Sequence, residues 1–101
     1  MDERTLRISV EGAWLIRLVG HLDASTAHQL DDAMDRPGYV VVDCSELEHM
    51  DRVGADALIA VARAREHEQR DHLVITGLTG APLRVAQHAG LDDVAEVRPM
   101  T

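Results

Sequence analysis

The chain has 101 residues, enough for one domain with a modest core and too few for two. Its 10 basic and 18 acidic residues give a formal net charge of −8, and a field of that sign repels nucleic acid and anionic membrane surfaces. The single cysteine, Cys44, cannot form an internal disulfide, and its place after an apolar strand predicts a buried thiol. No apolar run approaches the roughly 20 residues of a membrane helix, and no signal-peptide pattern is seen. We therefore expect a cytoplasmic protein without nucleic-acid or membrane partners.

The first part of the chain predicts a hairpin followed by a helix. Apolar and polar residues alternate over 6–10, as in a half-buried strand. A turn at 11–12 separates them from a second apolar run at 14–19, which predicts antiparallel pairing. Thr26 and Gln29 then have the spacing of a capping box at a helix start.

The central part predicts a strand, a polar loop and the longest helix of the chain. The apolar run at 39–42 is typical of a buried strand, which we expect to extend over 39–44. Asp51 stands in N-cap position before a helical pattern over about 52–70. Leu58 and Val61 lie on its apolar face, so we expect both to be buried.

The last part predicts a strand at 73–76 and a third helix. Pro82 suits the first turn of that helix, and Gly90 follows its predicted end at Ala89 as a left-handed cap. Residues 94–97 form a possible edge strand.

The predicted order is thus ββαβαβα(β). Strands separated by helices need crossover connections, which favour parallel pairing, whereas the opening hairpin is antiparallel. We predict an α/β fold with a mixed β-sheet of 4–5 strands and three main helices. A single domain is expected to span residues 1–101, with no repeat or linker.

Several motifs in this order resemble one known family. Residues 43–54 carry Asp-x-Ser-x-x-x-x-Met-Asp-x-x-Gly, residues 20–27 read Gly-His-Leu-Asp-Ala-Ser-Thr-Ala, and a Gly-Leu pair follows the third helix at 90–91. Together they resemble STAS domains, the family of bacterial anti-sigma-factor antagonists. The likeness covers most of the chain and implies a STAS-like fold.

The resemblance also implies a function. Such proteins bind an anti-sigma factor, often a serine kinase, and thereby regulate a sigma factor without being enzymes. Phosphorylation of a loop Ser or Thr reverses the binding by adding about −1.5 to −2 charges. The implied partner surface consists of two loops, with the residues Asp23, Ser25, Thr26, Asp51, Arg52, Val53 and Gly54.

One residue departs from the family pattern. The position after the second Asp is typically a phosphorylatable Ser or Thr, and here it is Arg52, so phosphorylation is not expected there. Arg52 is either drift at a site that lost its switch or a gained contact to a carboxylate or phosphate. Gly54 is expected to let a partner approach the backbone closely.

Other functions remain as alternatives. The domain could be a STAS subunit of a larger complex, such as a lipid-transport ATPase, or part of a regulatory scaffold. A nucleotide-binding protein or small enzyme is a further alternative, although no phosphate loop and no Gly-x-Ser-x-Gly elbow occur. The six His are scattered, so neither a metal site nor a cofactor is expected. Asp23 with Ser25 and Thr26 could equally be a structural helix start. The sequence leaves open the partner's identity and the oligomeric state.

Overall fold

The computed structural model describes residues 5–12, 14–34, 38–67 and 73–98. Five strands form one sheet, in the spatial order in which they occur along the chain. They are β1 (Leu6–Glu11), β2 (Leu15–Leu22), β3 (Val40–Met50), β4 (Leu73–Thr76) and β5 (Glu96–Arg98). The strands β1 and β2 are antiparallel, and the remaining neighbours are parallel. The predicted α/β fold with a mixed sheet is confirmed, and the edge strand at its end is present.

Three helices join the parallel strands. They are α1 (Gln29–Met34), α2 (Arg52–His67) and α3 (Gly80–Ala89), and a 3-10 turn follows α3 at Leu91–Asp93. Of the three predicted main helices, only α2 and α3 are long, because α1 has six residues. The longest helix begins directly after Asp51, as predicted, while residues 68–70 lie outside the described residues. Gly90 has φ 85° and ψ 26°, which is the predicted left-handed cap of α3.

The core lies between the sheet and one layer of helices. Consecutive parallel strands with right-handed crossovers place their connecting helices on the same face, and α2 contacts both α1 and α3. The largest fully buried side chains come from both layers, and they include Ile16, Leu18, Leu30, Val42, Leu58, Ile75 and Leu91. Leu58 and Val61 are both buried, as the helical pattern predicted. The buried stripe of α2 extends over Ala55 and Ile59.

An arginine is buried near the end of α2. Arg65 is 2% exposed, and its guanidinium donates hydrogen bonds to the carbonyl groups of Met34 (3.3 Å) and Gly38. Hydrogen bonding is required to offset the cost of burying such a group. These bonds link the end of α1 and the approach to β3 to the middle helix of the layer.

The strand β3 is longer than the sequence indicated. The polar loop predicted after Cys44 is the second half of a strand of 11 residues. The register with β2 shifts twice, between Arg17 and Val19 and between Gly20 and His21, and each shift accommodates an extra β3 residue. Burial therefore recurs every third residue after Cys44 instead of every second, which concealed the strand. Cys44 itself is buried, and burial with the nearby Asp43 charge raises the pKa of its thiol to about 12.

The first of these irregularities is held by side chains and by a close approach. The Ser45 N–H donates to Asp43 Oδ1 (2.9 Å), and Arg17 Nε donates to Asp43 Oδ2 (3.4 Å). Gly77, with φ 85°, lies so close that a Cβ at this position would be 2.6 Å from the Ser45 nitrogen. Only glycine fits there without displacing the backbone. The bond from the Ser45 N–H to the Asp43 side chain closes an Asx-type turn.

We expect Asp43 to contribute to stability in a pH-dependent way. Burial alone raises the pKa of Asp43, but the hydrogen bonds from Ser45 and the Arg17 guanidinium outweigh it and hold the pKa below 3.8. Since the unfolded carboxyl has the higher pKa, the contribution is present above that value and is lost as the pH falls through the folded-state pKa. Urea midpoints of the parent and Asp43→Asn should therefore differ most at neutral pH and converge in acid. A difference between the two midpoints that stays constant with pH would contradict this. Asp92→Asn, which changes an exposed carboxylate, is the matched control.

Candidate functional site

The neighbouring parallel strands β2 and β3 end together, so their carboxyl ends lie side by side. Leu22, the last residue of β2, is in register with Met50, the last residue of β3. The Asp51 N–H donates a hydrogen bond to the Leu22 carbonyl (3.3 Å). The loop after β2 therefore lies beside the second predicted loop, residues 51–54, which the structure forms as Asp51 and the first turn of α2. Sequence reasoning did not find Leu22, whose role comes from its backbone oxygen.

Asp51 caps the helix α2. Its Oδ1 accepts a hydrogen bond from the Gly54 N–H (2.9 Å), and its carbonyl accepts one from the Ala55 N–H (3.0 Å). The side-chain bond satisfies the Gly54 N–H, which has no partner within the helix, and the carbonyl bond is the first regular bond of the helix. The predicted N-cap is confirmed, and the first turn of α2 is fixed to the end of β2.

Gly54 packs inside the fold. It is buried, and a Cβ at this position would be 2.2 Å from the Leu22 carbonyl oxygen and 2.9 Å from Leu22 Cγ. The approach of a partner to Gly54 stays a prediction, but the structure shows another close approach at this residue. The close approach is made by β2 of the same chain, and it sets how deeply the start of α2 lies against the sheet.

The loop after β2 is closed by its own side chains. Thr26 Oγ1 accepts a hydrogen bond from the Asp23 N–H (3.0 Å) and donates one to the His21 carbonyl (2.8 Å). Asp23 Oδ1 accepts bonds from the Ser25 N–H (2.9 Å) and the Ser25 hydroxyl (2.6 Å). Asp23 and Thr26 are each 3% exposed, whereas Ser25 is exposed.

This geometry corrects the predicted capping box. Thr26 bonds backward to His21 and Asp23, and the Gln29 N–H donates to the Thr26 carbonyl (3.0 Å) instead of to its side chain. The helix α1 begins at Gln29, after this turn. Asp23 and Thr26 hold the loop in shape, and Ser25 is the predicted site residue of this loop that solvent reaches.

The first turn of α2 presents two side chains to solvent. Arg52 is exposed, and Val53 is 49% exposed although it is apolar. Arg52 Nε contacts Asp56 Oδ1 at 3.0 Å, four residues along the helix. Such an exposed pair contributes little to stability, so another acceptor could replace Asp56 at small cost. We call Ser25, Arg52 and Val53 the helix-start surface.

Two histidines face each other one residue before the ends of the same strands. His21 Nε2 is 3.5 Å from Glu48 Oε2, and the rings of His21 and His49 are 5.7 Å apart. Among the described residues, no group of three or more His, Cys, Asp or Glu side chains is arranged to hold a metal ion. Within the same residues, no helix combines the length and apolar character needed to cross a membrane.

Comparisons with known proteins agree with this architecture. Two relatives named anti-sigma-B factor antagonist, from Listeria monocytogenes and Listeria innocua, are each 27% identical over 88 residues, which cover 82% of this chain and 76% of the relative. RsbS from Moorella thermoacetica matches with a TM-score of 0.68 and 22% identity, over 95% of this chain and 87% of that chain. The anti-sigma factor antagonist SpoIIAA, in its unphosphorylated form, matches with a TM-score of 0.66 and 12% identity, over 96% and 90%. These structural matches show a shared fold.

A family model described as "Mlab, STAS domain" matches residues 5–99. That span contains every described element, from β1 through β5, and both loops that meet at the end of the sheet. The resemblance found in the motifs is therefore confirmed over nearly the whole sequence, and the chain belongs to the STAS domain family.

Proposed function

We propose that this chain is a protein-binding module of the anti-sigma-factor-antagonist type. It would regulate a sigma factor by binding an anti-sigma factor or serine-kinase-like regulator through the helix-start surface. The Listeria relatives carry that functional name, and the fold is shared with SpoIIAA and RsbS. The location of the partner surface is supported by the geometry of the first turn of α2.

One observation carries the proposal: the exposed side chains of Arg52 and Val53 belong to a helical turn whose backbone is held by contacts within the domain. The Asp51 cap and the bond to the Leu22 carbonyl fix the first turn, and Gly54 seats it against β2. A partner that binds Arg52 and Val53 therefore does not have to order the backbone beneath them. Preorganisation of this kind lowers the entropic cost of association.

We further propose that binding is not reversed by phosphorylation at the start of α2. None of the four residues from Asp51 to Gly54 carries a hydroxyl group. Incubation with a cognate anti-sigma kinase and ATP should leave this segment unmodified, while Arg52→Ser or Val53→Ser should supply an acceptor at a helix N-terminus, where added negative charge is tolerated. Phosphate on Ser25 or Ser45 of the parent, located by mass spectrometry, would mean that the switch lies elsewhere.

The role of Arg52 is tested by reversing its charge. If Arg52 contacts an acidic group of the partner, Arg52→Glu should weaken binding by about 1–3 kcal/mol, measured by isothermal titration calorimetry. The matched control is Arg63→Glu, because Arg63 is also exposed on α2 and the change in net charge is the same. Equal effects of the two variants would indicate a long-range charge effect. Full affinity in both Arg52→Ala and Arg52→Glu would mean that Arg52 is drift.

A STAS subunit of a larger complex stays as the second candidate. A segment without a hydroxyl group at the start of α2 also suits a subunit that is bound permanently and needs no switch. Affinity capture from the native cell followed by mass spectrometry separates the two. Recovery of an anti-sigma factor supports the first candidate, and recovery of transport-ATPase subunits supports the second.

We infer that the domain acts as a binding protein in the cytoplasm and not as an enzyme. The polar groups that could suggest catalysis are engaged in shaping the chain, since Asp23, Ser25 and Thr26 bond to one another and to the backbone. Asp51 is likewise occupied as a helix cap. Turnover of a nucleotide or ester that disappears in both Asp23→Ala and Asp51→Ala would refute this inference.

A further inference from the structure

The outer edge of the strand β1 is open. β1 is the first strand in the sheet order and has β2 as its neighbour, with no strand on its other side among the described residues. It contains no proline or register shift, two common devices that protect an edge from pairing, and its two charged residues, Arg7 and Glu11, have opposite signs. Val10 on this strand is 43% exposed. An edge with an exposed apolar residue and charges of both signs is suited to pairing with a strand of complementary charge.

The direction of the backbone groups on this edge follows from the β1–β2 pairing. The His21 N–H donates to the Thr5 carbonyl (2.9 Å), so Thr5 is bonded towards β2. Because bonding alternates along an antiparallel pair, Arg7, Ser9 and Glu11 also point their backbone groups towards β2. The N–H and C=O groups of Ile8 and Val10 therefore point outward, towards the open edge.

We propose that this edge pairs with the same edge of a second copy of the chain. An antiparallel pair centred on Ser9 would place Ile8 opposite Val10 of the second copy, and those are residues with outward backbone groups. It would also place Arg7 opposite Glu11 of the second copy. Each of these two residue pairs occurs twice in the dimer, as an isologous two-fold interface requires.

The side chains fit this register. Arg7 and Glu11 are exposed, so opposite charges would face each other across the interface. Glu11 already contacts Arg17 (3.2 Å), which contacts Asp43 (3.4 Å), so Arg7 of the second copy would extend a row of alternating charges. On the other face, the apolar side chains of Ile8 and Val10 would cover those of the second copy. Cross-strand pairs of both kinds stabilise sheets.

The dimer should be weak and dependent on concentration. Its core is one strand of six residues from each copy, and a net charge of −8 on each chain opposes association. The two copies would run in opposite directions, so their helix-start surfaces would face opposite ends of a continuous ten-stranded sheet. This inference does not depend on which partner binds the helix-start surface.

Sedimentation velocity of the full chain over a range of concentrations provides the test. The parent should shift from monomer to dimer mass, whereas Arg7→Glu and Glu11→Arg alone should each weaken association about ten-fold or more, because like charges then face each other. An equimolar mixture of these two variants should recover the dimer, since every facing pair is again opposite in charge. Circular dichroism establishes that both variants are folded.

A backbone variant tests the same edge independently of charge. Val10→Pro removes an outward N–H and leaves the β1–β2 ladder intact, so it should be a folded monomer. A parent that stays monomeric at its highest attainable concentration would overturn the proposal. So would a folded mixture of the charge variants that fails to associate, or a Val10→Pro protein that dimerises like the parent.

Discussion

Replacing Gly54 with alanine should destabilise the domain by about 1–3 kcal/mol or more, the usual cost of forcing extra atoms into a packed site. The added Cβ would be 2.2 Å from the Leu22 carbonyl oxygen, a distance that no side-chain rotation relieves because the obstacle is backbone. The first turn of α2 would have to move outward and would strain the bond from the Asp51 N–H to Leu22. The free energy of unfolding from urea denaturation gives the measurement.

The sign of this effect is informative. Alanine in place of a helical glycine normally adds about 0.8–1.0 kcal/mol of stability through helix propensity. Ala60, exposed on the same helix, provides the control, and Ala60→Gly should lose about that amount. If Gly54→Ala is instead as stable as the parent or more so, α2 does not pack against Leu22 as closely as described. The same variant should also weaken partner binding, because the helix-start surface would be displaced.

The periodic elements of this fold could be predicted from the sequence because their signals are local. Residues 73–76 form a strand and α2 begins after Asp51, both as predicted from apolar pattern and capping chemistry. The second half of β3 could not be predicted in the same way. Its bulges change the burial period from two to three residues, and bulges depend on the pairing with β2, which lies elsewhere in the sequence.

The candidate site shows the same division. The sequence pointed to both segments, and the structure brings them together at Leu22, through the bond from the Asp51 N–H and the packing of Gly54. The sequence did not distinguish residues that shape the two segments from residues that are exposed to solvent. Thr26 and Gly54 are buried, and each is explained by a contact to the β2 strand end, at His21 and Leu22 respectively. A glycine at the third position of a helix, where alanine has the better propensity, is a local signal for such a contact.

Replacing Leu58 with alanine should cost about 2–5 kcal/mol, since the loss of buried methyl groups is compounded by the cavity that remains. Leu58 is fully buried in the middle of α2, between the sheet and the neighbouring helices. A domain of this size has a total stability of about 5–15 kcal/mol, so this one change removes a large share of it. The unfolding free energy from guanidinium denaturation, with an unchanged m-value, would establish the effect.

Val53→Ala is the matched control, because Val53 lies on the same helix with 49% of its surface exposed. Val53→Ala should change the free energy of unfolding by less than about 0.5 kcal/mol, as is usual for surface substitutions. The two variants should therefore separate fold from function. Leu58→Ala should weaken partner binding only as far as it populates the unfolded chain, whereas Val53→Ala should weaken binding in a fully folded protein. A Leu58→Ala protein as stable as the parent would show that the buried face of α2 is placed wrongly, and full binding by Val53→Ala would remove Val53 from the partner surface.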